Sequence, residues 1–229
     1  MDKIELLQDL IDKSHRIVFF GGAGVSTESN IPDFRSSDGV YSHQLGRHFT
    51  AEQLVSQTMF ERYPEDFFDF YKKYLIYPEA KPNAAHTYLA ALEKTGKLKA
   101  VVTQNIDSLH EMAGSQKVFK LHGSVDRNYC LGCQRFYDLT AFLALEGPVP
   151  HCLDCGKVVK PDVTLYEESL DMDVFSQAAQ AIRQADLLII GGTSLVVYPA
   201  ASLVNYFSGT NLVVINKTST PQDSPATLV

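Results

Sequence analysis

The four cysteines of the chain stand in two closely spaced pairs. Two residues separate the members of each pair, and eighteen residues lie between the pairs. This spacing is typical of a structural zinc site, in which four thiolates complete a tetrahedron and leave no position for a substrate. A secreted disulfide framework is disfavoured because the chain is large and shows no export signal, and a single redox pair would explain only one of the two motifs. The predicted zinc ligands are Cys130, Cys133, Cys152 and Cys155.

A histidine that follows a short apolar run is the best candidate for a general base. His122 stands eight residues before the first cysteine pair and directly before Gly123. Histidine titrates near neutrality and can therefore take a proton from a hydroxyl group. We interpret the other six histidines as structural. His151, which adjoins Cys152, could compete as a metal ligand, but the four thiolates already fill such a site.

Elements that could position these side chains are visible as apolar runs that alternate with helical patterns. Alternation of this kind predicts an α/β fold, a doubly wound parallel sheet with helices on both faces. The runs predicted as buried strands are 16–20, 98–103, 118–121, 187–190 and 212–215, and residues 162–165 also look extended. The helical patterns are 2–13, 51–76, 82–93, 171–184 and 199–207.

Polar residues and glycines follow directly after these strands. In a parallel sheet the ligand binds beyond the carboxyl ends of the strands, so these residues should converge on one edge, which we call the rim. The rim contains glycines, amides, hydroxyls and one imidazole. Its members are Gly22, Ala23 and Gly24; Gln104, Asn105, Ile106 and Asp107; His122; Gly192, Thr193 and Ser194; and Asn216.

The first of these turns, Gly22 to Thr27, is similar to the dinucleotide turn Gly-x-Gly-x-x-Gly, although Thr27 replaces the last glycine. Glycines let a diphosphate approach the backbone, but a tight structural turn explains them nearly as well. A dehydrogenase would place an acidic residue about 20 positions further on. That region is instead a loop, Pro32-Asp33-Phe34-Arg35, in which Arg35 could bind phosphate and Phe34 could shield a reacting centre. A salt-bridged surface loop explains it equally well.

Composition narrows the classes of partner. The chain has 229 residues, a net charge of −7 and no long basic run, which argues against binding to nucleic acid or to an anionic membrane. No apolar stretch reaches about 18 residues, so no membrane helix is expected. The N-terminal residues alternate charges with leucines and lack the core of a signal peptide. We therefore expect a cytoplasmic protein.

Taken together, these motifs resemble the sirtuin family of NAD-dependent protein lysine deacylases. The resemblance covers nearly the whole chain, in the order of the family. The motifs that carry it are 22–27, 31–35, 103–110, 121–124, the two cysteine pairs and 192–199.

The resemblance implies a Rossmann-like domain and a small domain, with NAD and an acyl-lysine meeting between them. It predicts the Rossmann-like domain over 1–34, 78–122 and 162–229. The small domain would comprise a helical insertion and cofactor loop, 35–77, and a zinc ribbon, 123–161. We expect a monomer.

Roles for individual residues are also implied by the resemblance. The expected reaction transfers the acyl group of a lysine to ADP-ribose and releases nicotinamide. His122 would be the base and Asn105 the second catalytic residue. The residues that would contact NAD are Gly22, Ala23, Gly24, Thr27, Asp33, Phe34, Arg35, Gln104, Asn105, Ile106, Asp107, His122, Gly192, Thr193, Ser194 and Asn216.

The chain departs from the family at two places. Members often have Phe-Gly-Glu where this chain has Tyr166-Glu167-Glu168. The preceding residues 163–165 are expected to pair with the substrate backbone. Members also usually continue with a short strand and helix beyond the position of Val229, so part of the adenine site is expected to lie outside this sequence.

The expected acyl group is acetyl or another short neutral group. Desuccinylases of the family use a Tyr-x-x-Arg pair to bind an acidic acyl group. Beyond Arg35, the insertion contains only Arg47 and Arg62, and neither has a tyrosine three residues before it.

Two other functions are compatible with this fold. Mono-ADP-ribosyl transfer onto protein is the first, and a non-catalytic NAD-sensing module is the second. The presence of both His122 and Asn105 favours deacylation over either of them.

Overall fold

A computed structural model describes residues 2–33 and 49–229, apart from the side chain of Ala51. The helices of the described residues are α1 (Lys3–Lys13), α2 (Ala51–Leu54), α3 (Gln57–Arg62), α4 (Pro64–Tyr74), α5 (Ala84–Lys94), α6 (Leu109–Met112), α7 (Leu139–Leu143) and α8 (Met172–Gln184). The strands are β1 (Ile17–Gly21), β2 (Leu98–Thr103), β3 (Val118–Lys120), β4 (Gly123–Cys130), β5 (Phe136–Tyr137), β6 (Val159–Val163), β7 (Leu187–Gly191) and β8 (Asn211–Ile215). The 3-10 helices of the same described residues lie at Ala23–Val25, Thr27–Ser29 and Ala200–Tyr206.

The larger sheet is parallel, with its strands in the order β3-β2-β1-β7-β8. This confirms the predicted α/β fold with a Rossmann-like sheet. β1 and β7 are buried along their whole length because helices cover both faces. β3, which was predicted as a buried strand, is only half-buried because it lies at the edge of the sheet.

Each face of the larger sheet has its own apolar core. On one face, α8 and the 3-10 helix at 200–206 pack against side chains such as Phe20 and Ile190. On the other face, α1 and α5 pack against Ile17 and Leu187. Alternate residues of one strand therefore serve opposite faces, as the period of a strand requires.

A second sheet, in the order β5-β4-β6, is antiparallel and belongs to the small domain. Its core contains residues of the insertion, such as Phe67 and Tyr71, together with residues of the ribbon, such as Tyr137, Phe142 and Val159. The insertion and the ribbon, which are far apart in sequence, thus share one apolar core. The predicted domain boundaries remain a prediction, and β6 crosses the one predicted between 161 and 162.

The insertion is not the continuous helical segment that the pattern over 51–76 predicted. It forms three helices, because Ser56 caps α3 by accepting the Met59 N–H at 3.1 Å, and Pro64 begins α4. Proline has no N–H to continue a preceding helix and is well placed in a first turn. The buried aromatic side chains of α4, such as Phe67 and Tyr71, pack against the ribbon.

Smaller differences between the predicted and the observed elements occur elsewhere in the chain. Only residues 162 and 163 of the extended segment predicted at 162–165 belong to a strand, β6, which begins earlier, at Val159, because it pairs with β4. Residues 200–206 form a 3-10 helix rather than an α-helix. Leu228 adds an isolated parallel bridge to Val213, which the sequence patterns did not predict.

Within the described parts of the chain, none of the helices combines the length and the apolar character needed to traverse a lipid bilayer.

Candidate active site

A cavity of about 420 Å³ lies between the larger sheet and the small domain. One wall comes from the rim and includes Ala23, Asn105 and Asp107. The facing wall includes Val125 and Leu139 of the small domain. The topology thus creates an open space where residues from both domains meet, as ligand sites between domains usually require.

One polar network at this cavity joins the first two strand ends. Asn105 Nδ2 donates to Ser26 Oγ at 3.0 Å, and Ser26 Oγ donates to Asp107 Oδ2 at 2.9 Å. Asp107 Oδ1 accepts the Leu109 N–H at 3.0 Å. Ser26 and Asn105 are buried, so these hydrogen bonds hold both side chains in one orientation.

A second network joins the ends of β2, β7 and β8. Gln104 Nε2 donates to Thr193 Oγ1 at 2.9 Å. The Thr193 N–H donates to Asn216 Oδ1 at 3.0 Å, and Asn216 Nδ2 returns a bond to the Thr193 carbonyl at 2.7 Å. The structure therefore brings together the amides and the hydroxyl that the sequence placed on the rim. Ser194 is exposed beside them.

The glycines of the rim are required by close packing of two turns. A Cβ on Gly22 would lie 2.7 Å from Thr193 Cβ, and one on Gly24 would lie 2.8 Å from Gly192 Cα. Gly192 itself has a φ of +59°, which favours glycine. Thr27, at the place of the missing third glycine, donates its hydroxyl to the Gly24 carbonyl at 3.0 Å. The region around Ser26 and Thr27 consists of two 3-10 turns rather than the start of an α-helix.

His122 lies between β3 of the larger sheet and β4 of the small sheet. Its Nδ1 lies 2.9 Å from the Gln104 carbonyl oxygen. Because a carbonyl can only accept, Nδ1 must carry the proton, and Nε2 is the nitrogen able to take another. Burial lowers the pKa of His122, while the bond to Gln104 opposes this shift. The neutral, basic form is therefore favoured near neutral pH.

A buried lysine next to the rim was missed by the sequence reasoning. The side chain of Lys120 is only 7% exposed, and its Nζ donates to Ser108 Oγ at 2.8 Å and to Ser124 Oγ at 3.1 Å. It also lies 3.2 Å from Glu111 Oε1. Ser108 is hydrogen-bonded to Asp126, and both residues line the cavity. The sequence feature that could have identified Lys120 is a charged residue at the end of an apolar strand.

The remaining predicted NAD contacts are placed as follows. Ile106 is half-buried at the cavity, and its carbonyl accepts the Val125 N–H at 3.0 Å. Asp33 is half-buried and interacts with other groups. Phe34 and Arg35 lie outside the described residues, as does Arg47.

The four cysteine sulfurs converge on one point of the small domain. All four lie within 4.8 Å of one another, and none forms a disulfide. Cys130 Sγ lies 3.3 Å from Cys155 Sγ, and Cys133 Sγ lies 3.6 Å from Cys152 Sγ. A zinc ion with four thiolates at about 2.3 Å separates neighbouring sulfurs by about 3.8 Å, so this cluster can hold zinc with small adjustments.

Two neighbours support that interpretation of the cysteine cluster. The Tyr137 hydroxyl donates to Cys152 Sγ at 3.3 Å. This bond, together with bonds from the Asp154 and Cys155 N–H groups, lowers the pKa of that thiol to about 6 against the opposing effect of burial, and so favours the thiolate. His151, the competing ligand, has its Nδ1 3.0 Å from the Gly156 carbonyl and is not part of the cluster.

Known families and structures agree with this geometry. The Sir2 family matches residues 22–199, and the chain belongs to that family. A relative named NAD-dependent protein deacetylase from Clostridium perfringens (strain 13 / Type A) is 64% identical, over 100% of this chain and 93% of its own length. One of the same name from Staphylococcus aureus (strain N315) is 44% identical, over 99% of this chain and 92% of its own length.

Solved Sir2 structures superpose on nearly all of the fold. One that contains a p53 peptide and NAD+ has a TM-score of 0.86 at 41% identity, covering 100% of this chain and 92% of its own. Another, with a deacetylated p53 peptide and 3′-O-acetyl ADP ribose, has a TM-score of 0.90 at 40% identity and the same coverage.

Proposed function

We propose that the protein is an NAD-dependent protein lysine deacetylase. It removes acetyl, or another short neutral acyl group, from lysine and releases nicotinamide and O-acyl-ADP-ribose. The observation that carries the proposal is His122, held by the Gln104 carbonyl with Nε2 as its basic atom, at the junction of the two domains. The names of the close relatives favour this reaction over mono-ADP-ribosyl transfer.

NAD would lie across the rim. The turn formed by Gly22, Ala23, Gly24 and Thr27 would receive the diphosphate, as its similarity to the dinucleotide turn implies. Asp33, Phe34 and Arg35 would contact the diphosphate and the nicotinamide end.

The two hydrogen-bonded networks would divide the rest of NAD between them. The cavity lined by Asn105, Ile106 and Asp107 would hold the nicotinamide half, with Gln104 at the ribose. Gly192, Thr193, Ser194 and Asn216 would hold the adenosine half.

His122 would act on the ribose. After the acyl oxygen displaces nicotinamide, a ribose hydroxyl must lose its proton to attack the acyl carbon, and Nε2 would accept that proton. The resulting imidazolium still donates its Nδ1 proton to the Gln104 carbonyl, and this hydrogen bond favours the charged form of the ring. Asn105, fixed by Ser26, would hold the ribose and a water molecule. Water would finally release the lysine.

Zinc would be bound by Cys130, Cys133, Cys152 and Cys155 and would take no part in the chemistry. Four thiolates leave the ion no open position for a substrate. Its contribution would be to the folding of the ribbon.

The substrate would be an acetylated protein or peptide, as in a solved Sir2 structure described as bound to an acetylated peptide. A cytoplasmic location, a monomeric state and the absence of membrane and nucleic-acid binding remain predictions.

Mass spectrometry of an acetyl-lysine peptide, incubated with and without NAD, tests the proposal. We expect loss of the acetyl mass only with NAD, together with free nicotinamide and O-acetyl-ADP-ribose. A peptide that instead gains ADP-ribose would support mono-ADP-ribosyl transfer. No change in either the peptide or NAD would reject catalysis.

A further inference from the structure

Glu167 has a backbone conformation that residues other than glycine rarely adopt. Its φ is +76°, and in this region a Cβ crowds the following carbonyl oxygen. The sirtuin motif Phe-Gly-Glu has glycine at this position, and this chain has Glu167 instead. A glutamate that is retained in a strained conformation needs a compensating contact.

The Glu167 carboxylate supplies such a contact by binding the first turn of α3. Its Oε2 accepts the Thr58 N–H at 2.8 Å and the Thr58 hydroxyl at 2.7 Å. These bonds lower the pKa of Glu167, with a further contribution from the charge of Arg62. The carboxylate therefore stays ionised near neutral pH, and both hydrogen bonds are charge-assisted.

Backbone hydrogen bonds join the same two segments. The Gln57 N–H donates to the Tyr166 carbonyl at 2.9 Å, and the Tyr166 N–H donates to the Val55 carbonyl at 3.0 Å. Glu167 thus extends a short bridge between the insertion and the end of the β6 segment.

The segment that contains Glu167 is also hydrogen-bonded to the backbone of His122, the proposed base. The Thr164 N–H donates to the His122 carbonyl at 3.0 Å. Two backbone groups of residues 163–165 are already hydrogen-bonded to side chains of this chain. The Leu165 N–H donates to the Glu168 carboxylate at 2.8 Å, and Lys160 Nζ donates to the Val163 carbonyl at 3.2 Å. Among the described residues, the Glu167 N–H has no acceptor, so it is available to a substrate backbone.

We propose that Glu167 is a positioning residue for the acyl-peptide. Its carboxylate, bound to Thr58, fixes residues 164–168 so that the Glu167 backbone can pair with the substrate strand beside His122. This inference rests on the proposed deacetylase function.

Glu167→Gly is the decisive variant, because it removes the carboxylate and also suits the backbone conformation. We expect the KM for an acetyl-peptide to rise roughly 3- to 10-fold, the range expected for losing a hydrogen-bonded contact. The kcat and the KM for NAD should stay within about twofold, because only substrate binding is affected. Hydrogen exchange at Thr164 should also become faster.

Three further variants separate positioning from general effects. Glu167→Gln keeps an acceptor for Thr58 and should restore most of the peptide affinity. Thr58→Val should raise the KM in the native background but not in Glu167→Gly, because the hydroxyl bond that it removes is already absent there. Gln134→Gly makes a matched backbone change at another left-handed residue (φ +61°), in the zinc ribbon, and should leave the peptide KM unchanged.

An unchanged peptide KM in Glu167→Gly would overturn the inference. Equal changes in kcat, in the KM for NAD and in the KM for peptide would also overturn it, because they would indicate general loss of structure. A native protein without NAD-dependent deacetylation would instead reject the proposed function.

Discussion

Two clusters of reactive side chains lie on either side of the domain junction, and they are built differently. In the rim, amides and hydroxyls bond to one another and leave a cavity of about 420 Å³ beside them. In the cysteine cluster, four sulfurs converge within 4.8 Å and leave room only for an ion. A catalytic site must hold its groups and still admit a reactant, whereas a structural metal site is complete without one.

The two clusters also differ in how far they depend on the rest of the fold. The rim joins the ends of the strands of the larger sheet, whose central strands β1 and β7 are buried on both faces, so this sheet positions it without a metal. The ribbon has a three-stranded sheet and a core that it shares with the insertion. We therefore expect the zinc to stabilise the small domain and the rim to carry the chemistry.

Loss of a zinc ligand should have the largest effect on the molecule. We expect Cys155→Ser to reduce the zinc content well below one ion per chain and to unfold the small domain, because a structural zinc site contributes on the order of 10 kcal/mol to folding. Metal analysis and limited proteolysis measure both effects.

Leu153, which lies between Cys152 and Cys155 in the sequence, provides the control for the zinc prediction. Leu153→Ser alters an exposed side chain between two of the ligands and should retain the metal. Native protein without zinc, or with a disulfide within a pair, would contradict the structural role of the cluster.

The rim should select its acyl group by charge. We expect an acetylated peptide to have a kcat/KM at least about tenfold higher than its succinylated form, because a buried carboxylate without a cation is strongly disfavoured. Arg62, the described arginine of the insertion, ends α3 and has no tyrosine three residues before it. A higher kcat/KM for the succinylated peptide would show that another cation, such as Lys72 or Lys73, reaches the acyl group.

Acid should destabilise the larger domain through two buried histidines behind the rim. The rings of His86 and His110 lie 4.7 Å apart, and neither nitrogen of His110 has a hydrogen-bond partner among the described residues. Burial lowers the pKa of His86, and burial together with the charges of His86 and Lys120 lowers that of His110 to about 3.

In the unfolded chain both histidines titrate near pH 6.5. Their contribution to the free energy of unfolding is therefore fully present above pH 6.5 and is lost as the pH falls towards 3. For His110 alone we expect a loss of about 2 kcal/mol in the free energy of unfolding at pH 5. Urea unfolding at pH 7.5 and pH 5 measures it. His110→Leu should reduce the difference and the exposed His15→Asn should not, whereas equal differences in all three proteins would refute this origin.

The sequence patterns were informative wherever a local rule determines the structure. Apolar runs followed by glycine or a polar residue predicted the strands of the larger sheet, and the strand ends predicted which side chains meet, from Gly22 to Asn216. The spacing of the cysteines predicted their convergence. In each case the signal lies within a few residues of the feature that it predicts.

Features that depend on distant residues were not predictable from these patterns. β4 continues directly from His122 into the other domain, and its alternation is broken where its pairing shifts register. The division of 51–76 into three helices, by contrast, has local causes in Ser56 and Pro64, which the apolar pattern over this segment did not reveal. Glu167, whose backbone is in a left-handed conformation, is hydrogen-bonded to Thr58, 109 residues away.

The central claim is that the rim carries the chemistry while the cysteine cluster maintains the fold. The most direct test measures activity and thermal unfolding of His122→Ala on the same sample, with His15→Ala as the matched control. The predicted result is a fall in kcat/KM of about 10²–10⁴, as expected for loss of a general base. The zinc content should be unchanged, and Tm should change by less than about 3 °C. Activity within a few-fold of the native protein, or a loss of activity that accompanies unfolding, would contradict the account.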